Sequence, residues 1–285
     1  MNTTAPTQAR SDLSLQDTMA MVTEDPNCFS NAAAEQMERM VADFGRMYRE
    51  RNEALQEVAR AHHDALLRLA RAAEYRDDDT GVHIVRMGYL SAALARRLGQ
   101  SAAQAELLMQ AAPMHDIGKI GMPDDVLKKR SDFTENDRVV MNLHPHIGAE
   151  ILGKSRIPLF QLAAEVALTH HERWDGKGYP AGLAGEAIPI SGRIVAVIDF
   201  FDALTMDRCY RPAFDDETAL QMVLLERGHA FDPHVVDTFM AYASELIPLR
   251  DRINREHLEI SSLTELSALG DLDTVKPPET RSEGH

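Results

Sequence analysis

The chain has 285 residues, of which 44% are hydrophobic, and a formal net charge of −15 at pH 7. That apolar content supports a real core, in one large domain with extensions or in two small ones. The acidic balance argues against a nucleic-acid polymer or an anionic membrane surface as partner, since both reward clustered Lys and Arg, and it obliges any anionic substrate to be held by local cations or metal ions. The two cysteines, Cys28 and Cys209, form neither a disulfide framework nor a CxxC metal site, which fits a reducing, cytoplasmic compartment. The N-terminal MNTTAPTQARSDLSLQD has no apolar h-region, and no run of about 18 apolar residues occurs, so neither a signal peptide nor a membrane span is predicted.

In chain order, residues 1 to about 30 are polar and aperiodic. From Asn31 to Arg76 there is no Pro, and Met37, Met40, Phe44, Met47, Ala54, Val58, Ala61 and Ala65 recur at steps of three, four and seven. That is a helical stripe close to a heptad, interrupted by Arg51 and Arg68. YRDDDTGVHIVRMGYLSAALARRLG reads as a helix entered near Asp79–Thr80 and closed at Gly99. Further helical patterns are SAAQAELLMQAAPMHDIG, TENDRVVMNLHPHIGAEILG, LFQLAAEVALTHHERW, GRIVAVIDFFDALT, DETALQMVLLERG and DPHVVDTFMAYASELIPLRDRI. RIVAVI alone could pass for a buried strand, but helix formers flank it on both sides. The predicted class is all-α: an N-terminal extension over 1–66, helical from about 31, a helical bundle over 67–260, and an acidic, Pro-containing tail over 261–285.

Five of the twelve histidines stand beside acids or turns: His83, His115, His144, His170 and His171. Asp116 follows His115 directly. Asp199 lies in the apolar run RIVAVIDFFDAL, where a lone carboxylate is costly to bury without a cation or donors. Neighbouring helical residues diverge by about 100°, so His170 and His171 can each serve a different ion, and the Asp116 carboxylate can bridge two. The set His83, His115, Asp116, His144, His170, His171 and Asp199 exceeds the four ligands of a tetrahedral zinc and suits two six-coordinate ions. Nitrogen and oxygen donors without sulfur point to iron or manganese. His62, His63, His146, His229, His234, His257 and His285 read as surface or structural.

These residues resemble the HD-GYP family of bacterial phosphodiesterases, a branch of the HD-domain metal-dependent phosphohydrolases. The HD pair is His115–Asp116 in MHDIGKIGMPDDVL, and the GYP is Gly178–Tyr179–Pro180 in HHERWDGKGYPAGLAGEAIP. The similarity runs from about Leu67 to Tyr242 and takes in DDDTGVHIVRM, NLHPHIGAEIL and GRIVAVIDFFDALTMDRCYRPAF. The resemblance implies an HD-domain helical bundle. It also implies hydrolysis of cyclic di-GMP to pGpG, and in some members onward to GMP, by a hydroxide shared between metal ions; another cyclic dinucleotide, or a non-catalytic cyclic di-GMP sensor, is the alternative. It carries the two-ion ligand roles onto the seven residues above, with Asp116 as the catalytic bridge. Lys119 falls at a phosphate-contacting, catalytic position, and Tyr179, Arg208 and Arg211 line the substrate groove. Asp79 stands four residues before His83, where several members carry a Glu that holds a third ion. Cys209 replaces a common Pro, which leaves the shape of its loop less defined. The 66 residues before the bundle are too few for a receiver domain of about 110 residues. They are read as a dimerisation arm giving a homodimer through the N-terminal helix, and the GYP loop as a surface for signalling partners.

Overall fold

A computed structural model describes residues 26–77, 82–129, 131–207, 212–256 and 263, with side chains from residue 31 onward. The described residues are helical, with no strand and one isolated bridge between Arg227 and Phe231. The chain divides into two compact units, the first ending at Ala59 and the second starting at Arg60. Helix α1, Pro26–Glu74, contributes residues to both. It starts earlier than the periodicity suggested, because Pro26 is compatible with a first turn whose N–H groups have no intrahelical acceptor. Within the first unit its apolar stripe is solvent-exposed.

The second unit is a bundle of α2 (Val82–Arg97), α3 (Ala102–Ala111), α4 (Asp124–Leu127), α5 (Glu135–Met141), α6 (His144–Leu152), α7 (Pro158–Thr169), α8 (Ile190–Leu204), α9 (Asp216–Leu225), α10 (Pro233–Ala241) and α11 (Ala243–Glu256). The central helix α2 packs against α3, α8 and α11, and buries Ile84, Met87, Leu90 and Leu94. RIVAVI is helical, its Ile194, Val195, Val197 and Ile198 fully buried in α8. A smaller apolar cluster, including Ala111, Met114, Ile117, Leu159 and Ala163, lies under α6 and α7.

Three predicted helices are broken, two of them beside site residues. The pattern SAAQAELLMQAAPMHDIG leaves the α-helix at Ala111, because Pro113 has no N–H for the ladder; a 3-10 turn, Ala112–Met114, follows. His115 and Asp116 therefore lie between that turn and a second one, Ile117–Gly121, and not on one continuous helix. TENDRVVMNLHPHIGAEILG splits at Asn142–Leu143, which puts His144 at the first position of α6. DPHVVDTFMAYASELIPLRDRI divides at Tyr242 into α10 and α11. The described part of YRDDDTGVHIVRM resumes at Val82, and the entry near Asp79–Thr80 lies outside the described residues.

The turn carrying Gly118 sits directly on the start of α6. A Cβ at Gly118 would lie 1.9 Å from the His144 carbonyl oxygen and 2.5 Å from the Gly148 nitrogen. Both are backbone atoms, so relief requires moving the turn or the helix. Ordinary overpacking costs about 1–3 kcal/mol, and a clash with fixed backbone belongs at or above that upper end. Gly118→Ala is expected to lower Tm by about 5 °C or more, at about 2–4 °C per kcal/mol for a unit of this size, in calorimetry. An unchanged Tm would mean that the turn is not seated on α6.

Candidate metal centre

Four imidazoles are oriented by what their outer nitrogens bind. His115 Nδ1–H donates to the Ala112 carbonyl (3.0 Å) and His144 Nδ1–H to the Met141 carbonyl (2.7 Å). His170 Nδ1–H is shared between the Val166 and Ala167 carbonyls (3.2 and 3.0 Å), and His83 Nδ1–H donates to Asp202 Oδ2 (2.7 Å). Carbonyls and carboxylates only accept, so the Nδ1 atoms carry protons and each Nε2 points inward, a lone pair once any proton of its own has left. The acceptor carbonyls of His115, His144 and His170 lie three or four residues back in their own turns. The helix breaks thus serve the ligand geometry.

The Nε2 atoms of His115, His144 and His170 converge on Asp116. Its Oδ1 is 3.1 Å from His144 Nε2 and 3.5 Å from His170 Nε2; its Oδ2 is 3.4 Å from His115 Nε2 and 2.8 Å from Lys119 Nζ. His144 Nε2 and His170 Nε2 face each other at 3.3 Å. Asp199 Oδ1 lies 3.7 Å from His83 Nε2 and 3.8 Å from His115 Nε2. Two donor groups result: Asp116, His144, His170 and His171 on one side, and His83, His115 and Asp199 on the other. His115 Nε2 and Asp116 Oδ1 are buried without a well-formed hydrogen bond among the described residues. A buried polar atom left so costs about 1–3 kcal/mol. Inward lone pairs, two carboxylates and orphaned buried atoms fit divalent cations.

The charges follow from burial and neighbours. Burial would push the Asp116 carboxyl up, but Lys119 and then His115 overcome it and hold it well below the usual carboxylate range. Burial would lower His83, but the Asp202 hydrogen bond and charge, with Glu74 and Asp199 behind them, raise it to about 10. Burial likewise opposes and Asp116 outweighs it at His115, whose pKa is raised. On the other side burial lowers His170, and burial with His170 and His144 lowers His171 well below its ordinary value.

The loop HHERWDGKGYP folds back over this centre. Glu172, buried, accepts from the backbone N–H groups of Ala181 (2.7 Å) and Leu183 (2.9 Å). Trp174 and Asp175 N–H groups donate to the Ala230 and His229 carbonyls. The Tyr179 ring stacks on His171 with centroids 4.8 Å apart and planes at 28°. A Cβ at Gly178 would lie 2.4 Å from the Arg173 nitrogen. The glycine thus permits a close approach to the chain's own backbone, whereas Gly176, at φ 75°, supplies a left-handed turn. The Tyr179–Pro180 peptide is cis. Burial, then Asp116, raises the Tyr179 phenol, which stays a hydrogen-bond donor at neutral pH.

All seven residues of the two-ion set come together, with Lys119 and Tyr179 beside them. Asp79, Arg208 and Arg211 lie outside the described residues. His63 is buried and its Nε2 is 3.3 Å from the Gln110 carbonyl, a structural position. Sequence reasoning missed Asp202, fully buried, which also pairs with both Arg86 Nε (2.5 Å) and Nη2 (2.9 Å). It sits three residues after Asp199 in the same apolar helix, so the cost of burying a carboxylate flags it equally. Glu172 and Glu74, both buried, carried no comparable sequence signal.

A family model described as HD domain matches residues 53–235. The chain belongs to the HD-domain family. Its motifs are those of the HD-GYP branch. It is 45% identical over 193 residues to the cyclic di-GMP phosphodiesterase response regulator RpfG of Xanthomonas campestris, covering 68% of this chain and 51% of that protein. It is 42% identical to a cyclic di-GMP phosphodiesterase of Vibrio cholerae, covering 69% of this chain and 43% of that one. It is also 39% identical to the 3′3′-cGAMP-specific phosphodiesterase 2 of Vibrio cholerae, covering 64% of this chain and 35% of that one. This HD-domain chain therefore spans about half, or less, of the length of these relatives. Among its described residues no helix is long and apolar enough to cross a membrane.

Two outcomes test the centre. Asp202→Asn removes the charge that orients His83, and loss of such an outer partner typically weakens metal binding about 10- to 100-fold. Chelator competition with Mn(II) is expected to show that loss on one of two ions; equal affinity for both would contradict the role of Asp202. Proton release is the second. His83, raised to about 10, holds a proton at pH 7 that must leave before its Nε2 can ligate, so uptake on its side strengthens as pH rises toward about 10. His170 and His171, both lowered, are neutral at pH 7 and bind with little release. Calorimetry at pH 7 in buffers of different ionisation heat should find one ion bound with proton release and one nearly without; equal release by both would contradict the asymmetry.

Proposed function

We propose that the chain is a metal-dependent phosphodiesterase that hydrolyses cyclic di-GMP to pGpG, with GMP as a further product. The observation that carries this reading is a single carboxylate, Asp116, whose two oxygens face two different donor groups. His83, His115 and Asp199 would hold one ion and His144, His170 and His171 another, with Asp116 shared. Nitrogen and oxygen donors suit iron or manganese. Bound there, divalent ions supply acidity toward water and charge for phosphate oxygens. Asp79, four residues before His83, would add a ligand for a third ion.

The chain's own groups have distinct tasks. Lys119, 2.8 Å from Asp116 Oδ2, keeps that carboxylate ionised and places an ammonium where non-bridging phosphate oxygens gather charge. The buried imidazoles exclude bulk water from the centre, which strengthens each charge interaction. Tyr179, as a neutral phenol over His171, offers a hydrogen bond to the substrate. Arg208 and Arg211 would hold the second phosphate, so an acidic protein needs only local cations. The 39% identity to a 3′3′-cGAMP-specific relative supports a second reading, in which one guanine is replaced by adenine. A reducing, cytoplasmic setting suits the two cysteines. The exposed rim of the GYP loop, Lys177, Pro180 and Ala181, is the surface open to a protein partner.

Self-association through α1 belongs to the same reading. Met37, Phe44 and Met47 are 63%, 65% and 61% exposed at a and d positions of a heptad.

Incubation of Mn(II)-loaded protein with cyclic di-GMP is expected to give pGpG, faster than it cleaves 3′3′-cGAMP. Asp116→Ala should abolish turnover while circular dichroism stays helical. Full turnover in folded Asp116→Ala, or cleavage of 3′3′-cGAMP alone, would overturn the reading. In sedimentation the protein is expected to be a dimer, and Phe44→Asp a monomer; a monomeric wild type contradicts the arm.

A further inference from the structure

Lys119 stands on a short turn. Beyond its own internal bonds, the 3-10 segment Ile117–Gly121 is closed by the Lys119 N–H to the Asp116 carbonyl (2.9 Å) and the Met122 N–H to the Lys119 carbonyl (3.1 Å). Such a short segment leaves carbonyl lone pairs open at its end. Three of these carbonyls accept from one side chain of a distant part of the sequence. Arg76, just after α1, sends Nη1 to the Lys119 carbonyl (3.1 Å) and the Ile120 carbonyl (2.5 Å), and Nη2 to the Met122 carbonyl (2.8 Å) and Asp124 Oδ1 (2.6 Å). Three carbonyls facing one guanidinium fix the plane and direction of the turn.

We infer that Arg76 is the positioning residue for Lys119: its fork locks the turn that aims the Lys119 ammonium at Asp116. The guanidinium suits this task because its donors are coplanar and fixed in angle, so it spans acceptors on residues 119, 120 and 122 at once. A lysine ammonium is a point donor and cannot span them. Asp124 is a mostly exposed partner, at 59% side-chain exposure, and its pair with Arg76 adds little by itself. The carbonyl bonds carry the effect. Arg76 touches neither Asp116 nor any of the seven proposed ligands among its described contacts, so it acts through Lys119. The role rests on the phosphodiesterase reading, but the turn itself can be observed without turnover.

The test combines hydrogen exchange with a double-mutant cycle on the full chain loaded with Mn(II). In Arg76→Ala, peptides covering residues 117–123 should exchange at least about tenfold faster, while those of α7 and α8 stay within about twofold, the signature of local opening. Arg76→Lys should behave like Arg76→Ala, and Asp124→Ala should stay within about twofold of wild type. On cyclic di-GMP in single turnover, Arg76→Ala should lower kcat about tenfold with KM changed less than about threefold. Introduced into Lys119→Ala, it should cost less than about twofold more, because groups acting as a unit are non-additive. Faster exchange throughout the bundle would make Arg76 a general clamp, and an undiminished loss in the Lys119→Ala background would separate it from Lys119; either result overturns the inference. If wild type cleaves no phosphodiester, the functional reading fails, and the exchange pattern alone decides whether Arg76 holds the turn.

Discussion

The proton on Nδ1 of each core imidazole is the constraint on which the rest depends. A histidine can present either nitrogen, and the choice is made by what the other one binds. Here three rings donate to carbonyls one turn behind them and the fourth to a buried carboxylate. The acceptors are fixed before any ion arrives, so the Nε2 atoms are preorganised in two facing groups. The order of effects matters. Burying four imidazoles and the Asp116 carboxylate, with His115 Nε2 and Asp116 Oδ1 poorly hydrogen-bonded, is unfavourable, and the packing of α2, α3, α7 and α8 must hold them there.

Asp116 concentrates the consequence. Its carboxylate stays ionised although buried, because Lys119 and His115 outweigh the loss of solvent. The His83 and His115 imidazoles are then shifted toward their protonated forms, while His170 and His171 remain neutral. The two halves of the centre are chemically unequal even though their donors are alike. At His83 the cause is Asp202, a fully buried carboxylate behind the ring that stabilises its proton; at His115 it is Asp116, since the group behind that ring is an uncharged carbonyl.

Much of this was legible in the sequence, and what was not has identifiable causes. Apolar periodicity located α1, α2, α7 and α8, since long stripes report a buried face directly. The cost of a carboxylate in an apolar helix pointed to Asp199, which lies partly exposed beside His83 and His115, and the histidines beside acids and turns make up the rest of the cluster with Asp116. Breaks inside periodic stretches were hidden, because Asn142 and Leu143 continue the pattern of α5 into α6 while the backbone turns between them. Pro113 was visible, but its consequence, placing His115–Asp116 between two 3-10 turns, depends on how the next segment packs. Glu172, Glu74 and Arg76 act through backbone groups or through side chains far along the chain, which no local spacing encodes. Asp202 was within reach, since the reasoning used for Asp199 applies to it unchanged.

The central claim is that Asp116 joins two donor groups, each holding one cation. Crystals grown with Mn(II), measured for anomalous scattering at the manganese edge, test it most directly. The account predicts one peak among His144, His170 and His171 and another among His83, His115 and Asp199, about 3.5–4 Å apart with Asp116 between them, the spacing of two-metal sites. A single peak, or two peaks that do not share Asp116, would contradict it.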